Sequence, residues 1–438
     1  MSHYKRYPAY KDSGVEWIGE VPEHWDVKRL RHIAHFTNSN VDKKHYDGQR
    51  AVSLCNYTDV YYNEFITPAL PFMEATASEG EIVQFALQRG DVLITKDSED
   101  PKDIGIPALV AEEMPGVICG YHLTVIRAGG LDTGRYLHRS IQSHPTKAHF
   151  FVESPGITRY GLSQDAIGDI SVCLPPSAEQ TAIAAALDCE TARIDALIAK
   201  KTRFIELLKE KRQALLTHAV TKGLDPKVKM KDSGVEWIGV VPEHWSTYSA
   251  KRLFRERDER SVLGEEEMMT VSHLTGVTPR SEKQVNMFEA ETTAGYKICR
   301  AGDLTINTLW AWMGAMGTAR QVGIVSPAYN IYTPNEGLDP EFVDLLVRMP
   351  SFAKEVTRFS KGIRESRLRL YPEGFFEVQF AVPPLAEQHF IVNSVRDKAA
   401  QIESLAAKTQ RSIDLLKERR SALITAAVTG QIDLREAA

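Results

Sequence analysis

A chain that carries the same fifteen-residue passage twice is constrained to fold around a repeated frame. Residues 11–25 read KDSGVEWIGEVPEHW and residues 231–245 read KDSGVEWIGVVPEHW, fourteen identical positions of fifteen at an offset of 220. A second set of matches recurs at an offset of 208. Pro175-Pro176 with Glu179-Gln180 returns as Pro383-Pro384 with Glu387-Gln388, LLKEKR at 207–212 as LLKERR at 415–420, and AVTKGLD at 219–225 as AVTGQID at 427–433. The order is short motif, variable block, long periodic segment, then the same again. The blocks are residues 26–174 and 246–382, the second twelve residues shorter, as the drop in offset requires. Two similar units in one chain predict a pseudo-two-fold internal repeat.

The long segment reads as helix. No Gly or Pro interrupts it between Ser177 and Lys222, and apolar residues recur every seven at Leu187, Ile194, Leu208 and Leu215, with Lys201 breaking the series. The second copy has Val395, Ile402, Leu416 and Leu423, with Thr409 where Lys201 stood. Such heptad seams predict that the two helices pair, antiparallel, as a coiled coil. Packing of each helix on its own block is the alternative. Pro175, Pro176 and the capping-box spacing of Ser177 and Gln180 mark the start, and Lys222 followed by Gly223 marks the end. Leu385 replaces Ser177 in the second copy, so that helix is expected to lack a capping bond of about 1 kcal/mol. At about 1.5 Å per residue, some 46 residues span roughly 69 Å, more than a compact core needs.

The two blocks share little sequence but common landmarks. Residues 87–94 (LQRGDVLI) answer 299–306 (CRAGDLTI), each a turn into a buried strand, and Gly156-Ile157 with Leu162 answers Gly362-Ile363 with Leu368. Short β-rich runs such as AVSLCNY, GVICGYHLTVIRA and GIVSPAYNIYT, with short helices near 134–151 and 339–359, predict mixed α/β domains. The expected fold class is α+β. An α/β domain at 1–174 is followed by a helical spacer at 175–225, a second domain at 226–382 and a second helix at 383–438.

At 438 residues two or more domains are expected. No apolar run of about 18 residues occurs, so no membrane span is expected, and MSHYKRYPAYKDSG lacks the apolar stretch of a secretory signal. Five scattered cysteines suggest a reduced, cytoplasmic chain without a zinc site. A net charge of -5 argues against a uniformly basic nucleic-acid binder but allows local basic faces.

Catalytic signatures are missing from the sequence. There is no GxxxxGK[ST] loop, no GxGxxG after a strand, no HExxH, no GxSxG and no Asn-Pro-Pro-Tyr. Asp91 with Lys96 is too loose for a metal-and-lysine site, and His24 and His244, each beside Trp and Pro, read as packing residues. What remains is binding chemistry in loops. The first block offers Lys43, Lys44, Arg50, Lys96, Arg159 and Tyr160. The second offers Asn307, Trp310, Trp312, Lys361, Arg364, Arg367 and Arg369. Arg and Lys contact phosphates and read guanine, and Asn reads adenine. Solvated surface is the alternative for each cluster.

Two unlike blocks on a repeated frame, GVEWIGxVPEHW at Gly14–Trp25 and Gly234–Trp245, and the PPxxEQ helix starts at Pro175–Gln180 and Pro383–Gln388 together resemble the specificity subunit of type I restriction–modification systems. The resemblance covers essentially the whole chain. It implies a non-catalytic subunit whose two target recognition domains each read one half of a split, asymmetric site in double-stranded DNA. The helices would set the spacing and dock two modification (methyltransferase) subunits. Those partners would carry S-adenosylmethionine and methylate a flipped adenine. Separate restriction (translocase and nuclease) subunits would use ATP and Mg. No cofactor is implied in this chain. A coiled-coil scaffold with two protein-binding heads, and a self-contained DNA-modifying enzyme, are the competing readings.

Overall fold

A computed structural model describes residues 4–283, 292–363 and 368–435. The chain divides into two units, residues 1–202 with 410–438 and residues 203–409. The division falls beside Lys201 and Thr409, where the seam turns polar. Each unit therefore holds one variable block and part of each long helix. Those helices run Ser177–Lys222 and Leu385–Val428.

In the first unit a five-stranded sheet has the order 35–38, 123–127, 92–95, 107–110, 65–66, antiparallel except for the last pair. Strand Arg50–Cys55 lies between Val117–Cys119, parallel to it, and Met73–Ala77, antiparallel. Helices Leu131–Ile141 and His144–Val152 fill the expected helical stretch. The second unit has a four-stranded antiparallel sheet in the order 254–257, 330–334, 304–306, 316–318, with helices Pro340–Val347 and Pro350–Arg358. All five cysteines are free thiols. Among the described residues no helix is long and apolar enough to cross a membrane.

The two repeated motifs bond to each other. In the first unit Trp25 Nε1 donates to Glu179 Oε1 at 3.2 Å, and His24 Nε2 lies 2.9 Å from Glu179 Oε2. In the second, Trp245 Nε1 donates to Glu387 Oε1 at 3.2 Å, and His244 Nε2 lies 2.7 Å from Glu387 Oε2. His24 and His244 are thus structural, as expected. The first clasp also takes the Tyr7 hydroxyl at 2.7 Å. Burial and the adjoining carboxylate push the Tyr7 pKa well up, which keeps that hydroxyl a donor.

Each clasp also meets the far end of the other long helix. Gly430, left-handed at φ +72°, lies so close to Pro22 that an added Cβ would come within 2.2 Å of its ring, and Gly223, at φ +74°, packs beside Pro242 and Trp245. A clasp thus holds the start of one helix beside the end of the other, and within each unit they run antiparallel. Ion pairs agree: Arg420 meets Asp195 in the first unit and Arg212 meets Glu403 in the second.

The seam serves two purposes at once. Leu187, Ile194 and Leu423 are buried in the first unit's core with block residues such as Tyr136 and Val172, and Leu416 packs against them. Val395 joins Ala219 and Val220 in the second core. Leu208 is buried, while Leu215 and Ile402 are half-buried. Helix-to-helix and helix-to-block packing therefore coexist. The Thr409 hydroxyl donates to the Leu405 carbonyl of its own helix.

The helix starts correct one expectation. Ser177 is already helical, and it is the Gln180 side chain that closes the first turn, donating to the Pro175 carbonyl at 2.9 Å. Gln388 does the same to Pro383 at 2.9 Å. The two starts are equivalent, and Leu385 costs the second helix no capping bond, because both Gln side chains reach back past the serine position.

An ion network ties the first block to both helices. Glu64 accepts from Arg139, which is 1% exposed, and from Arg420 at 2.6 Å, while Arg139 also reaches Asp188 at 2.7 Å. Burial alone would raise the Glu64 pKa, but the two guanidiniums outweigh it and hold the pKa at about 2. A depressed carboxylate pKa stabilises the fold above its unfolded value and loses that stabilisation as pH falls toward the folded value. The first unit should therefore lose roughly 3 kcal/mol between about pH 4.5 and 2 through this group. Urea unfolding followed against pH should show Glu64→Gln with a flatter acid limb.

The clasps generate a second expectation. Charge-assisted bonds contribute about 1.5–3 kcal/mol each, and a stranded indole N–H adds its desolvation cost. Glu179→Ala should destabilise the chain by about 3 kcal/mol. Glu387→Ala should cost less, because that carboxylate is 26% exposed against 7% for Glu179. Urea midpoints of the two variants test the ranking.

Candidate nucleic-acid interface

Both blocks build their exposed loops on one scaffold. A left-handed glycine, Gly90 at φ +94° or Gly302 at φ +91°, turns the chain into a buried strand. The aspartate that follows caps its own turn. Asp91 accepts the Gln88 amide at 2.9 Å and Asp303 the Arg300 amide at 2.8 Å. Each is also ion-paired, Asp91 with Arg127 and Asp303 with Arg257. Asp91 is thus buried, with its carboxylate taken up by its own turn and by Arg127.

The strand then delivers a loop to a second segment that returns to it. In the first unit the Lys96 carbonyl accepts the Leu162 amide at 2.8 Å, and in the second the Thr308 carbonyl accepts the Leu370 amide at 3.1 Å. The buried leucine answering Leu162 is therefore Leu370 rather than Leu368. Leu162 and Leu370 are 5% and 1% exposed, whereas Leu368 is half-buried. The returning loop is two residues longer in the second unit, and that hid the match.

In the first unit this closure gathers residues distant in sequence. Asp97–Ser98 pairs antiparallel with Tyr160–Gly161, which seats Lys96, Arg159 and Tyr160 together. The Asp97 carboxylate is held by Lys96 Nζ at 2.7 Å and His122 Nδ1 at 2.5 Å. Burial would raise its pKa, yet these two bonds keep it below the usual range. Lys96 Nζ also lies 5.0 Å from the Tyr121 ring centre, and Arg159 Nη2 is 3.2 Å from His122 Nε2. His122 adopts φ +73°, a left-handed conformation otherwise confined to glycine among the described residues. Such strain collects at functional sites.

Tyr57 and Tyr61, stacked at 5.6 Å, border the cluster, with Tyr57 beside Asp97 and Ser98. Lys43 and Lys44 are exposed on a loop that begins at Val41, whose carbonyl accepts the Tyr121 amide at 2.7 Å. Arg50 lies apart, exposed at the start of a strand opposite Ala77.

In the second unit Trp310 and Trp312 lie with rings nearly parallel, 17° apart, and Trp310 is 50% exposed. The Leu370–Thr308 bond sets the base of the 361–369 loop against this turn. Lys361 and Arg369, both exposed, exchange backbone hydrogen bonds of 2.9 and 3.0 Å that close the loop. Asn307 is buried instead. Its amide donates to the Tyr329 hydroxyl and accepts the Leu309 amide, which leaves it a structural part. Arg364 and Arg367 lie outside the described residues.

Sequence reasoning missed His122, Tyr57 and Tyr121. The tyrosines had a signal, an i,i+4 pair in YTDVYY followed downstream by another Tyr beside His. The strained backbone of His122 left none. An exposed indole, stacked tyrosines and loop cations are the groups that grip bases and phosphates.

No protein-family model matches the chain. It is 23% identical over 250 residues to the MjaX type I restriction enzyme specificity subunit of Methanocaldococcus jannaschii, and 23% identical over 299 residues to the EcoBI specificity subunit of Escherichia coli. These matches cover 57% and 63% of this chain, and span 56% and 61% of the relatives' own lengths. Among solved structures, a chain from work on complex assembly and conformational transition of the type I R-M system superposes over 93% of this chain and 98% of its own, with a TM-score of 0.68 at 16% identity. The HsdS subunit from Thermoanaerobacter tengcongensis superposes over 94% of this chain and 98% of its own, with a TM-score of 0.53 at 17% identity. The fold, over more than nine-tenths of the chain, is that of a type I specificity subunit.

Proposed function

We propose that the chain is the non-catalytic DNA-recognition subunit of a type I restriction–modification complex in the cytoplasm. Each unit reads one half of a bipartite, asymmetric site in double-stranded DNA. The carrying observation is the pair of unlike, cation- and aromatic-bearing loops placed at the same scaffold position of two units that share one frame. A repeated frame with different heads suits a split site with different halves. Two modification subunits, holding S-adenosylmethionine, would methylate adenine, and restriction subunits would use ATP and Mg. The long helices would act as the spacer and the dock.

The test reconstitutes the full chain with modification subunits encoded beside it and maps methylated adenines. Methylation at one split asymmetric sequence is expected, with none from the chain alone. Methylation by the chain alone would overturn the reading. In the complex, Arg159→Ala should relax the half-site read by the first unit and Trp310→Ala the other, each by about 1–3 kcal/mol of discrimination. Methylation maps of the two variants check this.

The spacer role has its own test. Matched one-turn insertions beside Lys201 and Thr409 should lengthen the gap between the methylated halves. An unchanged gap would sink the spacer role.

A further inference from the structure

Ile157 is 92% exposed and Ile363 is 102% exposed. Each directly follows the landmark glycine of its returning loop. A single exposed apolar side chain needs no explanation. Here the feature occurs twice, each time directly after a glycine of the returning loop, in two blocks that share little sequence.

The first loop is built to hold its isoleucine outward. Gly156 has no room for a side chain, since an added Cβ would lie 2.1 Å from the Arg159 carbonyl oxygen. The Tyr160 hydroxyl donates to the Ile157 carbonyl at 3.3 Å, and Tyr160 itself is pinned to Ser98. In the second unit the Lys361–Arg369 backbone pair closes the loop that presents Ile363. The tips therefore do not collapse onto their cores. Cations flank them: Arg159 stands two residues after Ile157, and Lys361 two residues before Ile363.

An apolar tip between cations suits a ligand with charged rails and an apolar interior. Duplex DNA is such a ligand, and inserted Ile, Leu or Met side chains partly unstack base steps while flanking cations hold the phosphates. We propose that Ile157 and Ile363 are wedges, each entering the base stack of the half-site read by its own unit. This rests on the DNA-reading function proposed above.

The test uses the full chain with its modification subunits and duplexes carrying 2-aminopurine at successive positions of each half-site. Fluorescence should rise at one step per half-site other than the methylated adenine. Ile157→Ala should abolish the first of these signals and Ile363→Ala the second, each weakening binding about tenfold. Ile157→Leu should retain both the signal and the affinity. Unchanged signals and affinity in the alanine variants would overturn the wedge while leaving sequence reading intact. So would loss of modification subunits from the variants on size exclusion, which would assign the apolar tips to a protein contact. A wild-type complex without any preferred sequence would overturn the recognition function itself, and the wedge with it.

Discussion

The structure depends on one carboxylate in each unit, buried in the first and half-buried in the second. Glu179 and Glu387 sit in the first turn of the long helices, and each receives an indole N–H and an imidazole from the motif that opens its block. Two donors fixed on adjacent residues leave a carboxylate little choice of position. The glycine that ends the opposite helix packs against the same Pro and Trp. One short motif thereby holds a helix start and a helix end side by side, and antiparallel packing follows without help from the heptad seam. The seam can then afford polar members such as Lys201 and Thr409.

The two clasps are not identical. The first recruits Tyr7, and Arg435 near the chain's end approaches Glu179 at 3.8 Å with its guanidinium over the Tyr7 ring. The chain's two ends meet in that unit, with the Tyr10 hydroxyl donating to the Gly430 carbonyl and Gln431 to the Glu20 carbonyl. In the second unit the link from Gly223 to the motif is continuous chain. The first clasp must hold together what the second has covalently, and it is correspondingly drier.

Much of this frame was legible because it was repeated. The helix limits, Ser177 to Lys222, follow from uninterrupted periodicity between Pro176 and Gly223. That the PEHW and PPxxEQ motifs touch was readable only indirectly, from their being duplicated together, since 154 residues separate Trp25 from Glu179. The Gln180 closure was misread because serine-first capping is the commoner device. The candidate interface was less legible still. Lys96, Arg159 and Tyr160 were visible singly, but a two-residue strand pairing brings them together, and so short a ladder has no pattern in sequence. Asn307 resembled a base reader by type, and burial spends its amide internally.

The same scaffold explains how two blocks can differ so much and remain equivalent. The loop-closing bonds, Leu162 to Lys96 and Leu370 to Thr308, join backbone atoms and place no demand on the side chains of Lys96 or Thr308. The Gly-Asp turn beneath them is satisfied internally by capping and an arginine. The closing bonds themselves therefore tolerate different side chains at these two positions in the two units. Within the first loop the cations are unequal. Lys96 is neutralised by Asp97 and half-covered by Tyr121, so its role is orientation more than attraction. Arg159 is exposed, sets Nη2 against the His122 ring nitrogens, and its other N–H groups suit a phosphate or a guanine edge. On the proposed function, the salt dependence of binding at this half-site belongs chiefly to Arg159 and the lysines at 43 and 44, and the shape of the loop surface to Lys96, Asp97 and the strained His122.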